Sequence, residues 1–595
     1  MSPSSAPKPA PLGRRARLLG LAAAVFGAAC VHAAVPTLNL GVTALVAWVP
    51  ALVLARGLPW RRRLRLGWLL GFLADTLTFA FIAFTMRHMT NLPDPVGYAL
   101  VVAYAAWHGL LGGVFLALAE PARQAAEARL RGAGPLAVAF TYAAIDWLWP
   151  QVFPLSIGHS FWQLGPVMTL AALTGVPGLA FLALLVNAAL ADLWRHRRPR
   201  LLALPAATLA ALLAFSGAWY AHVHSTAPTR TLRVAVLQPN YTLEEKKRAA
   251  GRLDRGQGAA QRARLLDRLE AQLRSLPAGR YDLVVGPEGA LPFPWRLDAD
   301  RFPPDAPAPR DLAPTRRVAC AVAEGPRADT LLGGLRQGPD GRTRNAAVHL
   351  GPDGAVRAHY DKQTLMPFGE TLPGRDLFPD LAAKIDGIAD FGAGEVPCAF
   401  DAAGARIACG ICYESVFAVP TRADLGAADL LVNLTIDTWF GTSNAPESHL
   451  LLQASRAAEL GVPLVRAALT GISAVVGPDG QVEASLPLDA TGVLSADVPL
   501  RPLATPFRAV GPLFAWLSVA LTALALALAA RSRRELLRAR GVPPPERRDG
   551  APGAPPPGAP EPPTGRTAAD AADPGQGPIT REDGASHPGE AGRTP

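Results

Sequence analysis

Long apolar runs separated by short arginine-rich loops constrain the fold of this 595-residue chain more than any other feature. A helix needs about 20 predominantly apolar residues to cross the hydrocarbon core of a bilayer. Eight runs approach this length, at 17–34, 38–56, 66–86, 97–119, 134–150, 165–193, 201–222 and 509–530. The expected fold class is therefore a multi-pass α-helical membrane bundle of about eight spans, with a water-soluble domain between the seventh and eighth runs.

The arginines are distributed unevenly among the loops. They cluster before the first run, between the second and third, and after the fourth, sixth and eighth, while the other loops carry almost none apart from Arg87. Cytoplasmic loops are enriched in Lys and Arg, so both termini are predicted to be cytoplasmic and the soluble domain to lie outside. The same placement accounts for the formal net charge of +10 without a nucleic-acid partner.

The chain is predicted to have five segments. They are a cytoplasmic N-terminus (1–16), a membrane domain of about seven helices (17–222), a soluble domain (232–500), a last membrane helix (509–530) and a tail (541–595). The tail consists of Pro, Gly, Ala and charged residues without periodicity, so it cannot bury a core and is expected to be disordered.

The soluble domain has an α/β pattern. Helical spacing covers 259–275 and 449–460. Short apolar runs predict buried strands at 234–237, 283–285 and 430–434. Strands that alternate with helices in this way favour a layered α/β fold.

Five cysteines, at 30, 320, 398, 409 and 412, do not form the regular framework of a disulfide-stabilised protein. Cys409 and Cys412 make a C-x-x-C motif, but the residues before it read as a strand. Residues three apart on a strand point to opposite faces, so these two thiols are not expected to meet. With no histidine nearby, a zinc site is not favoured, and no metal or cofactor is predicted.

Three separated motifs carry the groups that an acyl-transfer site needs. Glu288 follows an apolar strand in surroundings that favour a general base. Lys362 precedes an apolar turn that ends at a second carboxylate, Glu370. Cys412 follows a strand and Gly410, the position at which nucleophiles lie in strand-to-helix turns. A thiol, a base and a cation together suffice for attack on a carbonyl and for stabilising the oxyanion.

The soluble domain resembles the carbon–nitrogen hydrolase (nitrilase) superfamily, whose members have an α-β-β-α sandwich and a Glu-Lys-Cys triad. Over about residues 15–535 the chain is similar to the integral-membrane branch of that superfamily, the apolipoprotein N-acyltransferases of the bacterial inner membrane. The motifs that carry the resemblance are 286–288 with 291–293, 360–370, 412–414, 431–433, 437–441, 457–463, Arg466 and 471–473.

The resemblance implies a two-step acyl exchange without a cofactor. Glu288 deprotonates Cys412, the thiolate attacks the ester of a phospholipid donor, and Lys362 stabilises the oxyanion. The free amine of diacylglyceryl-cysteine on an apolipoprotein then takes the acyl group from the thioester. The supporting residues implied by the resemblance are Glu370, Tyr413 and Glu414. The site would face the periplasm from the inner membrane.

Two alternative functions compete with this interpretation. A membrane-anchored nitrilase-type amidase would pass the acyl group to another acceptor, and departures from the family pattern at Gly289, Ile436 and Ala467–Ala468 fit it. A transporter or sensor with a degenerate domain would be expected to lack a triad member. Aromatic residues that are candidates for the lipid entry, or for an interfacial belt, are Trp147, Trp149, Phe153, Phe161 and Trp162.

Overall fold

The computed structural model describes residues 13–539 except for 37, 91–92, 252, 254–255, 298–311, 373, 375–376, 378–388 and 398. The predicted tail at 541–595 and most of the predicted N-terminal segment lie outside the described residues.

The first part of the chain is helical. Its α-helices are α1 (Arg14–Ala34), α2 (Val49–Ala55), α3 (Trp60–Thr78), α4 (Phe81–Met89), α5 (Asp94–Glu127), α6 (Gly134–Leu148), α7 (Gly165–Met168), α8 (Ala171–Thr174), α9 (Val176–His196) and α10 (Ala203–Ser225). Small residues allow α3 and α5 to approach closely, as is common between membrane helices. A Cβ added to Gly67 would lie only 2.1 Å from the carbonyl oxygen of Gly112.

Five described helices are long and apolar enough to cross a membrane, and a sixth span results if α3 and α4, bent by 49°, count as one. The prediction of a membrane bundle is confirmed, but eight spans exceed this number. The predicted run 38–56 forms a short 3-10 helix, Gly41–Leu45, and the seven-residue α2. The run 134–150 forms the 15-residue α6, about 22 Å long. Both runs pack within the bundle core, and neither forms one helix as long as the five spans.

The second part of the chain contains all thirteen described strands. They are β1 (Arg230–Gln238), β2 (Leu283–Val285), β3 (Leu291–Trp295), β4 (Asp329–Gln337), β5 (Thr343–Leu350), β6 (Val356–Asp361), β7 (Phe400–Ala402), β8 (Ala405–Ile411), β9 (Leu430–Thr435), β10 (Leu464–Ala468), β11 (Ser473–Val476), β12 (Val482–Leu486) and β13 (Gly492–Leu500). The helices are α11 (Leu243–Ala249), α12 (Gly258–Arg274), α13 (Ala313–Glu324), α14 (Ala418–Leu425), α15 (Ala445–Leu460), α16 (Pro506–Val510) and then α17 (Leu513–Ala539).

The strands form two mixed sheets. The first has the order β13-β1-β2-β4-β5-β6 with β3 paired to β4, and the second has the order β12-β11-β10-β9-β8-β7. Both are buried on two faces, because their inner faces share one apolar core that includes Val234 and Ile407. Helices α12 and α13 cover the outside of the first sheet, while α14 and α15 cover the second. The expected α-β-β-α sandwich is confirmed.

Helix α15 connects the sandwich to the helical bundle. The backbone N–H of Val176 donates to Glu459 Oε1 at 3.0 Å, and Asn444 Nδ2 donates to the carbonyl oxygen of Thr78 at 3.1 Å. Val176 begins α9 and Thr78 ends α3, so one end of the bundle contacts the catalytic sandwich.

The outer helical layer of the first sheet is expected to be sensitive to cavity formation. Leu269 on α12 is 0% exposed, whereas Leu253 is 55% exposed. Replacing Leu269 with Ala should lower the free energy of unfolding by about 2–5 kcal/mol, while L253A should change it by less than about 0.5 kcal/mol. Thermal unfolding in detergent compares the two variants, and equal midpoints would contradict the packing described here.

Candidate active site

The three predicted catalytic side chains lie at the ends of strands. Glu288 follows β2, Lys362 follows β6 directly and Cys412 follows β8 directly. The first two strands belong to one sheet and β8 belongs to the other. The structure therefore brings together, across the sandwich, residues that are far apart in the sequence.

All three side chains line one cavity of about 480 Å³. Its polar lining also includes Glu370 and Asn345. The other lining residues are mainly apolar. Those that belong to the helical bundle and to the loop before α7 are Phe79, Phe81, Thr85, Met89, Phe153 and Leu155. The same cavity is therefore lined by charged side chains and by apolar side chains that the bundle supplies.

A buried ammonium lies between two carboxylates. Lys362 Nζ is 2.8 Å from Glu370 Oε2 and 3.6 Å from Glu288 Oε1, and the lysine is only 1% exposed. Burial alone would lower the pKa of Lys362, but the negative charges of Glu370 and Glu288 outweigh it and raise that pKa. The lysine is therefore a fixed positive charge.

Asn345 orients both carboxylates, a role that the sequence motifs do not reveal. Its Nδ2 donates to Glu288 Oε1 at 2.6 Å and to Glu370 Oε1 at 2.8 Å. The only sequence signal is a polar residue directly before the largely apolar second half of β5. Glu288 Oε2 is buried, and no described residue donates a hydrogen bond of normal geometry to it. Burial raises the pKa of Glu288, although Lys362 opposes this, so this carboxylate is a stronger base than an exposed one.

Cys412 lies in a strained turn. Its φ is +54°, and it opens a short 3-10 helix, Cys412–Val416. Gly410 is needed just before it, because a Cβ there would lie 2.3 Å from Ser415 Oγ. Burial and then the negative charge of Glu288 raise the pKa of the Cys412 thiol. The resting nucleophile is a thiol whose proton must leave during attack.

A series of hydrogen bonds to the carbonyl oxygen of Cys412 holds this turn in place. The carbonyl oxygen of Cys412 accepts from Asn433 Nδ2 at 3.2 Å and Gln453 Nε2 at 3.1 Å. Gln453 Oε1 in turn accepts from the fully buried Arg466 at 2.7 Å, and Arg466 Nη2 pairs with Asp437 Oδ2 at 2.8 Å. The sequence motifs included Arg466 and Asp437, and the structure assigns both to support of the nucleophile.

The predicted supporting residues have different positions. Glu370 and Tyr413 line the cavity, and the Tyr413 hydroxyl donates to the carbonyl oxygen of Val152 at 2.5 Å. Glu414 does not line it. Instead, its Oε1 accepts from the Tyr360 hydroxyl at 2.8 Å and its Oε2 from the Ile411 backbone N–H at 2.7 Å. Glu414 thus connects the strand before Lys362 to the strand before Cys412.

Only one of the five proposed lipid-entry aromatics lines the cavity, namely Phe153. Phe161 and Trp162 are buried in the bundle core, and Trp149 packs against it. Trp147 contacts Trp516 of α17, with ring centroids 6.4 Å apart. The sequence alone could not separate these roles, because all five residues lie within one short apolar stretch.

The prediction that the Cys409 and Cys412 thiols do not meet is confirmed. The four described cysteines are free. Cys409 lies in the core between the sheets, whereas Cys412 lines the cavity. No group of His, Cys, Asp and Glu within the described ranges has a geometry suited to a metal ion.

Two family models match the two parts of the chain. Residues 27–189 match the N-terminal domain of apolipoprotein N-acyltransferase, and residues 233–505 match carbon–nitrogen hydrolase. The fold and the buried Glu-Lys-Cys cluster therefore define a carbon–nitrogen hydrolase domain carried by a membrane helix bundle.

Similar curated proteins extend over nearly the whole chain. The apolipoprotein N-acyltransferase of Geobacter metallireducens is 29% identical over 86% of this chain and 95% of its own length. That of Bradyrhizobium diazoefficiens is 34% identical over 67% of this chain and 73% of its own, and that of Gloeobacter violaceus is 30% identical over 87% and 95%. The chain belongs to the apolipoprotein N-acyltransferase family, so the expected acyltransferase class is confirmed.

The electrostatic coupling of Glu288 and Cys412 predicts an unusual effect on thiol reactivity. Because the Glu288 carboxylate raises the pKa of Cys412, Glu288→Gln should shift the pH midpoint of Cys412 alkylation by iodoacetamide to lower pH. Mass spectrometry of the Cys412 peptide across a pH series measures this midpoint. A midpoint that is unchanged or higher would contradict the coupling.

Proposed function

We propose that the protein N-acylates lipoproteins in two steps, with a phospholipid as acyl donor and a thioester on Cys412 as intermediate. The observation that carries this proposal is that Glu288, Lys362 and Cys412 line the same cavity as an apolar wall. A nucleophile, a base and a fixed cation lie together where an acyl chain can reach them.

In the first step, Glu288 takes the proton of the Cys412 thiol as the sulfur attacks the ester carbonyl of the phospholipid. Lys362 stabilises the oxyanion of the tetrahedral intermediate. The C–O bond of the ester then breaks, and Glu288 returns the proton to the departing lysophospholipid oxygen. The products are a thioester and a lysophospholipid, and Glu288 is again a carboxylate.

In the second step, the neutral α-amine of diacylglyceryl-cysteine attacks the thioester carbonyl. Glu288 takes a proton from the nitrogen, Lys362 again stabilises the oxyanion, and the C–S bond breaks. The proton passes to the Cys412 sulfur, which restores the thiol. The lipoprotein carries away the acyl chain as an amide.

The helix bundle supports this chemistry because both substrates are lipids. Moving an acyl chain into water costs about 0.8 kcal/mol per CH₂. Phe79, Phe81 and Phe153 form a wall that the bundle contributes beside the catalytic residues. An acyl chain in this cavity exchanges one apolar environment for another, so the cost is avoided.

The charge distribution supports an orientation with the catalytic domain in the periplasm, at the inner membrane. Arg56 pairs with Asp192 in the last turns of α9, whereas Val176 at the start of α9 contacts the sandwich. Arg123, whose charge acts on Arg56, pairs through Nε with Glu120 Oε2 at 2.9 Å. Cytoplasmic membrane ends are enriched in arginine. On this proposal, 17–222 and 509–530 form the membrane part and 232–500 the periplasmic domain.

Incubation of the detergent-solubilised protein with a phospholipid tests the first step. The Cys412 peptide should gain one acyl mass that hydroxylamine removes, and Cys412→Ala should gain none. Absence of the adduct from folded protein whose Cys412 still reacts with iodoacetamide would contradict the thioester mechanism.

Replacing Asn345 should slow the acylation of Cys412 without abolishing it. Asn345→Ala removes two hydrogen bonds to carboxylates, of which the one to Glu288 acts on the proposed base. A hydrogen bond to a charged group contributes about 1.5–3 kcal/mol, so loss of this one should slow acylation of Cys412 by roughly 10–150-fold. The control Gln337→Ala removes an exposed hydrogen bond on the neighbouring strand β4 and should leave the rate nearly unchanged. Equal acylation rates for N345A and wild type would show that Asn345 has no role in this reaction.

A further inference from the structure

Three basic side chains that line the cavity, Lys246, Lys247 and Arg262, have no part in the two steps above. Lys246, on the short helix α11, lines the same cavity as Glu288 and Cys412. We propose that Lys246 forms a subsite for the phosphate group of the donor phospholipid. This inference rests on the proposed function, and it names the part of the donor that the site recognises.

The lysine lies close to the catalytic base. Its Nζ is 3.4 Å from the point where a Cβ on Gly289 would be, and Gly289 directly follows Glu288. In a glycerophospholipid only a few covalent bonds separate the reacting ester carbon from phosphorus. A phosphate on Lys246 would therefore leave the ester within reach of Cys412.

Lys246 has no hydrogen-bond or ion-pair partner among the residues that the structure describes, and its one electrostatic contact is with Glu288. The side chain is half-buried, and an ammonium that loses part of its water without gaining a partner is destabilised. Burial lowers the pKa of Lys246 to about 8, so the side chain is still largely charged at neutral pH. An anionic ligand would supply the missing partner.

Two further cations line the same cavity, Lys247 and Arg262. Arg262 already donates to the carbonyl oxygen of Ala249 at 2.6 Å and lies over the ring of Phe293 at 5.7 Å. The charge of Arg262 adds to the positive potential in the cavity, but these two contacts fix the position of its guanidinium group. Lys246 is distinguished from Lys247 and Arg262 by its position, because its Nζ lies beside Gly289 and its charge acts on Glu288.

The charges of the two substrates identify which of them this lysine recognises. Phospholipid donors share a negatively charged phosphate, whatever the rest of the head group is. The diacylglyceryl part of the acceptor has no charge, and its α-amine is neutral or positive. Lys246 therefore attracts the donor and does not attract the acceptor.

The test compares two donors that differ in the phosphate. Thioester formation at Cys412 is measured with a phosphatidylglycerol and with the diacylglycerol of the same acyl chains, both in mixed micelles. Wild type should prefer the phospholipid by at least tenfold in kcat/KM. Lys246→Met should lose most of this preference through a higher KM for the phospholipid, because the KM for the diacylglycerol has no phosphate contact to lose, and Lys246→Arg should keep the preference.

Arg248→Met is the matched control, because it removes a charge from the same helix at a residue that does not line the cavity and instead pairs with Glu244 at 2.5 Å. The control should keep the wild-type preference. If K246M slows both donors equally or keeps the preference, the subsite is overturned. If wild type forms no thioester with either donor, the proposed function itself fails, so the two failures are distinguishable.

Discussion

The active site depends on one buried interaction, the ammonium of Lys362 held between Glu288 and Glu370. Two carboxylates buried together without a cation would repel each other, and at least one would bind a proton. The lysine keeps negative charge available at Glu288, while burial keeps that carboxylate basic. Asn345 adds hydrogen bonds that fix both acids. On the proposed mechanism, the cluster therefore combines a base and an oxyanion-stabilising charge before any substrate binds, which is the preorganisation that acyl transfer requires.

The nucleophile is built on the opposite sheet and depends on a different set of contacts. A left-handed φ at Cys412 is unfavourable for a non-glycine residue, and Asn433 and Gln453 hold its carbonyl oxygen. Glu414 joins this turn to the strand before Lys362. The two halves of the site are thus connected through the interior of the sandwich, while Tyr413 connects the turn to the loop before α7. The membrane part is consequently a component of the cavity wall and also anchors the domain.

Local patterns in the sequence predict the strands at 234–237, 283–285 and 430–434 and the positions of Glu288 and Cys412 after strands. The sandwich is predicted by the family resemblance. The sequence does not predict Asn345 or Gln453, whose roles arise only from the pairing of distant strands and helices. Apolar runs 38–56 and 134–150 were expected to span the membrane, but hydropathy cannot separate a spanning helix from a short one buried in a bundle. Lys246 was also missed, since a lysine on a charged helix normally faces solvent.

The fate of the acyl group on Cys412 tests the account most directly, because it separates an N-acyltransferase from an amidase. Purified acyl-enzyme would be mixed with a peptide that begins with diacylglyceryl-cysteine, and with the same peptide acetylated at its α-amine. The account predicts that the free-amine peptide gains the acyl mass as an amide while Cys412 loses it, and that the acetylated peptide has no effect. Release of free fatty acid at one rate with either peptide would contradict it.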